Sequence, residues 1–357
     1  MTDIKIQRAE KTRYNDVDWN NLRFGVYFSD HIFVSDYING KWDGGRIEPY
    51  GEMGFEPALC TLHYGQTVFE GLKAFRDVKG GANIFRPDEN AKRMNNSSDM
   101  VCIPKFDEKL MVEGISELVK IDKKFIPDKK GQSLYIRPFV FGTGNFLGVS
   151  ASPTYRLIVI TSPVGSYYAS GLEPVKIMVE SNYVRAVQGG LGLAKTAANY
   201  AASLKAGEIA HEKGFSQVLW LDGVHRKLID EVGAMNIMFV IGDELVTPSL
   251  DRGTILNGIT RKSALQIARE WGMKVTERDI TIDEIIDNYR SGKLKEIFGT
   301  GTAAVISPVG LLEYKGEDMI INDNKIGPVA QKIYNEITGI QYGEIEDKHK
   351  WNVHLDI

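Results

Sequence analysis

Cysteine is scarce: Cys60 and Cys102 are the only two, and no C-x-x-C brings them together. That excludes a disulfide framework and a thiolate zinc site, and no metal is expected. Long apolar runs are lacking as well. No stretch approaches the roughly 20 residues that span a bilayer, so no membrane association is expected. Nor is there a basic excess. With 43 Lys+Arg against 47 Asp+Glu the net charge is −4 at pH 7, and the pI is about 6.0. That balance argues against nucleic acid as a partner. The opening residues, Met1 to Glu10, hold no apolar signal core and carry acid early, which fits neither a secretory nor a transit segment. A reducing cytoplasm is the expected home. Repeats and low-complexity stretches are missing too.

The 357 residues are 43% hydrophobic and 25% charged, ordinary for a globular chain but too many for one core. We expect two domains of mixed α and β structure: a smaller one over 1–162, a connection over 163–173 and a larger one over 174–357. The connection rests on the turn-rich run from Ser162 to Gly171, where Tyr167 and Tyr168 are candidate site-lining aromatics.

From Arg23 to Tyr50, short aromatic runs (Phe24 to Phe28, Ile32 to Val34) alternate with turns in the manner of hairpins. Val68, Leu72 and Phe75 share a helical face, so Val68–Arg76 reads as helix with Gly71 embedded. Ala82–Phe85 reads as strand, and Arg86-Pro87-Asp88 opens a helix carrying Arg93. Phe106–Phe125 is an amphipathic helix with Asp107 as N-cap. Ser133–Phe141 and Tyr155–Thr161 read as strands. Beyond the connection come a strand over 174–180, a helix from Thr196 to Lys213 closed by Gly214, and a strand over 217–221. The apolar stretch 228–241 and a tight turn at Gly242-Asp243 follow. A helix runs from Arg261 to Trp271, and Thr281 to Glu284 forms a capping box. Glu296–Ile306 reads as strand, glycine turn, strand.

The chemistry centres on Gly189-Gly-Leu-Gly-Leu-Ala-Lys195-Thr-Ala-Ala-Asn-Tyr200. Three readings compete for Lys195. It could be a solvated lysine at a helix start. It could belong to a phosphate loop, since Gly189, Lys195 and Thr196 match G-x-x-x-x-G-K-[ST] except for Ala194. Or it could be a Schiff-base lysine whose amine attacks a carbonyl. Tyr200, five residues on, lies about 140° round a regular helix, so both face one ligand only if Lys195 precedes that helix. Glu231 interrupts an apolar stretch, either on the exposed face of an edge strand or as a charge kept for a cationic partner. Gly258-Ile259-Thr260 at a helix start and Gly299-Thr300-Gly301-Thr302 are each either a plain turn or a backbone anion nest. The phosphate loop lacks its second glycine and a strand directly before it, and it leaves Glu231 and both nests unemployed.

These residues resemble the branched-chain amino acid aminotransferases, pyridoxal-phosphate enzymes of fold type IV. The likeness rests on six stretches in order: Leu62–Phe75, Ser133–Pro138, Ala194–Tyr200, Gln217–Leu221, Glu231–Asn236 and Phe298–Ala303. It implies the two-domain fold type IV architecture and transfer of the amino group of leucine, isoleucine or valine to 2-oxoglutarate by a ping-pong cycle. Lys195 would hold pyridoxal 5′-phosphate covalently and carry the proton. Glu231 would pair with the ring nitrogen and Tyr200 with the phenolic oxygen. Arg93, the backbone of Ile259 and Thr260, and Thr302 would hold the phosphate. The substrate carboxylate would lie at Thr302 and Ala303 with help from Tyr64. Phe24, Phe69, Tyr135, Tyr167 and Met235 would form the apolar pocket, and Arg137 would take the distal carboxylate of glutamate. Leu147 and Val149 would reach in from a second subunit, which implies a homodimer. Ala304 to Ser307 replaces the redox C-x-x-C of animal members, so no thiol switch is expected there. Ala234 stands where some relatives have Thr. D-amino-acid aminotransferases and aminodeoxychorismate lyases, of the same fold, are shorter and leave the strand-rich region before Tyr64 unexplained.

Overall fold

A computed structural model describes residues 4–166 and 172–357. The chain divides into two compact units. One comprises Met1–Ala169, Ala194–Ala197 and Gly339–Ile357; the other comprises Ser170–Leu193 and Ala198–Thr338. This differs from the expected division in several ways. Residues 194–197, Lys195 among them, belong to the first unit, which is not the smaller of the two. The tail returns to the first unit, because Asn352–Leu355 pairs antiparallel with Ala82–Phe85. And the strand expected to end at Thr161 runs on to Val164, into the expected connection.

The first unit is built on a ten-stranded sheet. Its strands are β1 (Lys5–Ile6), β2 (His31–Ile38), β3 (Lys41–Trp42), β4 (Arg46–Pro49), β5 (Thr67–Phe69), β6 (Leu72–Arg76), β7 (Ala82–Phe85), β8 (Ser133–Gly142) and β9 (Tyr155–Val164). They lie in the order β1-β4-β2-β9-β8-β6-β7, then the C-terminal strand Asn352–Leu355; β3 pairs with β2 and β5 with β8. Helix α1 (Cys60–Tyr64) precedes β5, while α2 (Pro87–Asp99) and α3 (Glu108–Ile121) follow β7. Asp107 caps α3 as expected, accepting from the N–H groups of Lys109 and Leu110. Alternation along the strands sends Leu72, Ala74, Ile84, Leu134, Ile136 and Val140 into one core with Met94, Ile115 and Leu118 of the helices. The intervening residues, among them Phe69, Lys73, Tyr135 and Arg137, fall on the other face.

Two local expectations fail here. Val68–Arg76 is not helical: it forms β5 and β6, which pair with β8 at Val68↔Val140 and Leu72↔Ile136. The break at Glu70-Gly71 resets the alternation, so Val68 and Leu72 share the core at a spacing that imitates a helix. Gly71 is required there, since a Cβ would sit 2.0 Å from the Tyr135 hydroxyl oxygen. Likewise Phe24–Val26 is a turn rather than a strand, with Gly25 at φ +68°.

The second unit carries β10 (Val175–Val179), α4 (Ala197–Glu212, whose first residue belongs to the other unit), β11 (Gln217–Leu221), β12 (Ile229–Val232), β13 (Met235–Ile241) and β14 (Glu244–Thr247). Then come α5 (Ile259–Glu270), β15 (Lys274–Glu277), α6 (Ile282–Arg290), β16 (Leu294–Gly301), β17 (Val305–Tyr314), β18 (Glu317–Ile320) and α7 (Pro328–Gln341). Six strands, β12-β11-β10-β17-β16-β13, close into a ring because β12 also pairs with β13. The parallel pairs β10–β11 and β14–β15 are bridged by α4 and α5, the crossovers that parallel strands need. Ile177, Leu219, Ile229, Phe239, Ile297 and Leu312 of these strands share one buried core with Ile282 and Ile285 of α6. Thr281 caps α6 through the N–H of Glu284, as the capping box predicts. The stretch 228–241 is a hairpin turning at Gly233, φ +55°. Gly299 and Gly301 stay in the β16 ladder, so the turn lies at 302–304 and not at the glycines. Among the described residues no helix is long and apolar enough to cross a membrane.

Candidate active site

In the first unit Lys195 is held by its backbone before α4 begins. Its N–H donates to Ser97 Oγ at 2.9 Å, and its carbonyl accepts from the Phe69 N–H at 3.0 Å. The Thr196 hydroxyl donates to the Thr67 carbonyl at 2.7 Å. The lysine therefore precedes the regular helix, the condition set by its spacing from Tyr200. Its ammonium lies 4.8 Å from the Phe69 ring centroid, a cation–π contact. No strand runs straight into the glycines: β10 ends at Val179, which leaves the phosphate-loop reading without its geometry.

Phe69 is shared. The Arg137 guanidinium stands 4.8 Å from the same ring and 5.3 Å from that of Tyr135. It donates to the Tyr135 hydroxyl at 3.0 Å, and its Nε is buried with no hydrogen-bond partner. Phe24 packs edge-on against Tyr135, centroids 4.8 Å apart. Phe24, Phe69, Tyr135 and Arg137 thus lie together. Tyr64, at the end of α1, is 44% exposed, and Leu147 and Val149 are 72% and 90% exposed. Tyr167 lies outside the described residues.

Arg93 is not a solvated helix residue. It is buried on α2 and forms a two-point ion pair with Glu70, Nε to Oε1 at 2.7 Å and Nη2 to Oε2 at 2.8 Å. Glu70 is wholly buried. The parallel bonds fix the plane of the guanidinium. Glu70 went unnoticed in the sequence, though it stands in the break that defeats a helix there.

In the second unit Glu231 sits on β12, a strand paired on both sides and so not an edge. The exposed-face reading is overturned: the residue is buried. Its Oε1 accepts from the Leu256 N–H at 2.9 Å and from Asn236 Nδ2 at 3.1 Å. Its Oε2 pairs with Arg185 Nε at 2.8 Å, the cationic partner that the alternative reading required. A small cavity opens beside it, lined by Arg185, Asn199, Tyr200, Ser203, Glu231, Gly233, Ala234 and Leu256. Asn199 ties α4 to the glycine run through the Leu191 carbonyl at 2.8 Å. Neither Arg185 nor Asn236 was flagged in the sequence; a buried acid's need for a cation was the only signal.

Helix α5 opens at Ile259-Thr260 with Gly258 as N-cap and no side-chain cap on its first N–H groups. Such a start is a ready anion site. Gly258 is held to glycine because a Cβ would meet Asn236 Oδ1 at 1.9 Å, so Asn236 serves both Glu231 and this turn. Thr302 and Ala303 form the β16–β17 turn, which closes on Val305 at φ +64°, a costly conformation for a β-branched residue. Gly299 and Gly301 have their own reason: Cβ atoms there would each lie 3.0 Å from the Met235 side chain.

Comparison with known proteins adds the following. The family model for amino-transferase class IV matches residues 67–312. The chain is 54% identical over 339 residues to branched-chain-amino-acid aminotransferase 2 of Bacillus subtilis (strain 168), covering 95% of this chain and 93% of that protein. It is 49% identical to branched-chain-amino-acid transaminase 1 of the same organism, covering 98% and 99%. Among solved structures, the Escherichia coli branched-chain amino acid aminotransferase superposes with a TM-score of 0.74 at 27% identity, covering 90% of this chain and 98% of that one. The T.th. enzyme complexed with N-(5′-phosphopyridoxyl)-L-glutamate gives 0.73 at 27% identity, with the same coverage.

Proposed function

Since the chain belongs to the class IV aminotransferases, and within them to the branched-chain amino acid aminotransferases, we propose that it moves the α-amino group between leucine, isoleucine or valine and 2-oxoglutarate in a ping-pong cycle. Pyridoxal 5′-phosphate is the cofactor in this reading, and the residues fit it. The uncapped start of α5 offers N–H donors to a phosphate. The oriented Glu231 carboxylate, facing a cavity that Tyr200 also lines, offers an acceptor to a ring N–H. That carboxylate is the single observation that carries the assignment, because a buried anion with three donors already in place suits a permanently protonated ring nitrogen. When bound, the cofactor supplies an electron sink for the carbanion formed at the substrate Cα.

The chain's residues do the rest. Lys195 would hold the cofactor through its amine and, as general base and acid, would move the proton between the substrate Cα and the cofactor. Its backbone is held by Ser97 and Phe69, and its ammonium lies over the Phe69 ring. Glu231 keeps the ring nitrogen protonated, and Tyr200 donates to the phenolic oxygen. Arg93, Ile259, Thr260 and Thr302 hold the phosphate; Thr302 and Ala303, helped by Tyr64, take the substrate carboxylate. Phe24, Phe69, Tyr135, Tyr167 and Met235 surround an aliphatic side chain. Arg137 lies against Phe69 and Tyr135, so the same pocket takes either a branched alkyl group or the distal carboxylate of glutamate. The exposure of Leu147 and Val149 supports their burial against a second copy in a homodimer.

Purified protein should be yellow and should lose that colour when leucine is added alone, with 4-methyl-2-oxopentanoate released. Borohydride should lock the cofactor to the peptide containing Lys195. Colourless protein, or label on another peptide, would overturn the assignment.

A further inference from the structure

The cavity beside Glu231 contains a cation that the mechanism above does not employ. Arg185 lies between β10 and the glycine run, and its side chain is only 8% exposed. Each side of its guanidinium meets a different segment. Nε pairs with Glu231 Oε2 at 2.8 Å. Nη1 donates to the Thr254 carbonyl at 2.8 Å, and Nη2 to the Gly192 carbonyl at 3.3 Å. Gly192 itself allows this convergence, since a Cβ there would lie 2.4 Å from the Thr254 carbonyl oxygen. One planar fork therefore joins the acid on β12, the segment leading into α5 and the glycine run leading to Lys195.

Two effects follow. A guanidinium against a buried carboxylate favours the ionised acid, and a planar fork with three fixed acceptors cannot swing as an ammonium would. Arg185 pairs with Glu231, and Tyr200 lines the same cavity. Asp230, next along the strand, points to Arg252 at 2.9 Å and to the Thr254 hydroxyl at 2.9 Å. Arg185 thus meets Glu231 directly.

Resting on the aminotransferase reading above, we propose that Arg185 is a positioning residue: it keeps Glu231 ionised and aimed at the cofactor ring nitrogen, and it ties that acid to the glycine run before Lys195. Without the cation, Glu231 would take up a proton as the pH falls, and the ring nitrogen would lose its anionic partner. The damage is then pH-dependent and falls on turnover rather than on substrate binding.

The test uses holoenzyme of the wild type, Arg185→Gln and Arg185→Lys. The visible absorption of bound cofactor is titrated with pH, kcat and KM for leucine are measured at each pH, and thermal midpoints are recorded with and without cofactor. Loss of a charged partner moves a carboxylate by about 1–3 pH units. Arg185→Gln should therefore show a new acid limb in kcat, falling about tenfold per unit below its midpoint, with KM within about threefold of wild type. The absorption titration should move in the same direction. Arg185→Lys keeps the charge and should leave the acid limb close to that of the wild type. If Arg185→Gln does not fold, Arg185→Lys still decides the matter. It should lower kcat through the lost fork while keeping the acid limb within about one pH unit of wild type. A folded lysine variant whose acid limb moves by the full amount, about 1–3 pH units, overturns the proposal. So does an Arg185→Gln enzyme that loses thermal stability but keeps the wild-type pH profile and absorption, the signature of mere packing. Wild-type protein that takes up no pyridoxal phosphate would overturn the functional reading itself, on a sample the variants do not touch.

Discussion

The pair between Arg93 and Glu70 allows the phosphate role of Arg93 to be separated from a purely structural one. Consider Glu70→Gln, which keeps the shape and removes the charge. Breaking a buried ion pair by neutralising one partner costs about 3–5 kcal/mol, since the other charge is left uncompensated. Gln retains one oxygen to accept one of the two N–H bonds, so the lower end, about 3 kcal/mol, is expected. At about 2–4 °C per kcal/mol for units of this size, the cofactor-free protein should melt about 6–12 °C lower. If Arg93 also grips the cofactor phosphate, that dianion replaces the missing carboxylate, and the loss should shrink to about 1 kcal/mol in cofactor-saturated protein. By linkage the difference of about 2 kcal/mol must reappear as a roughly 30-fold tighter cofactor dissociation constant for the variant. Scanning calorimetry of both forms, with equilibrium titration of the cofactor, measures every side of this cycle. Equal losses with and without cofactor would remove Arg93 from the phosphate site. A cofactor-free loss under about 1 kcal/mol would refute the energetic reasoning.

Other consequences can be checked with simpler assays. Glu231→Gln should retain cofactor, visible by absorption, while kcat falls by at least about 100-fold, the low end of a general acid–base effect; near-normal turnover would mean another group protonates the ring. Arg137→Ala should slow the glutamate half-reaction at least about tenfold more than the leucine one in stopped-flow traces, and equal losses would cancel its role. Burial lowers the Lys73 ammonium from its usual range to about 8. The unfolded chain therefore binds more protons than the folded one between about pH 8 and pH 10.5, and stability should rise with pH across that window. Lys73→Met should flatten the rise and stabilise the protein at neutral pH by up to about 3 kcal/mol, measured by urea titration at a series of pH values. Gly192→Ala, which drives a Cβ into a backbone carbonyl, should cost at least about 2 kcal/mol; an unchanged melting midpoint would deny the close approach.

Much of this was readable from the chain alone, where the physics is local. Capping at Asp107 and Thr281, the turn at Gly242 and the placement of Lys195 before a helix all depend on neighbours within a few residues. Where a distant partner decides, the reading failed or stopped short. Val68 and Leu72 mimic a helical face because β8, far along the sequence, receives both. Glu231 showed itself as an anomalous acid, but Arg185 did not, because nothing near it in sequence distinguishes it from a surface arginine. Glu70 was overlooked for the same reason. The glycines at 299 and 301 were legible as special, yet their purpose is room for Met235 across the ladder rather than a turn. The return of the tail to the first unit had no signal at all, since Asn352–Leu355 is an unexceptional strand until Ala82–Phe85 is set beside it.

That returning strand has a bearing on how the protein is made. Residues near position 84 must wait for residues near 353 before their sheet is complete, and Tyr342 likewise reaches back to the carbonyl of Gln132. During synthesis one edge of β7 therefore stays unpaired until residues 352–355 have been made, while β6 already covers the other. A chain that stops short of residue 352 would carry an exposed strand edge that invites edge-to-edge association. Removal of residues 352–355 should accordingly influence aggregation far more than removal of the short strand at Lys5–Ile6.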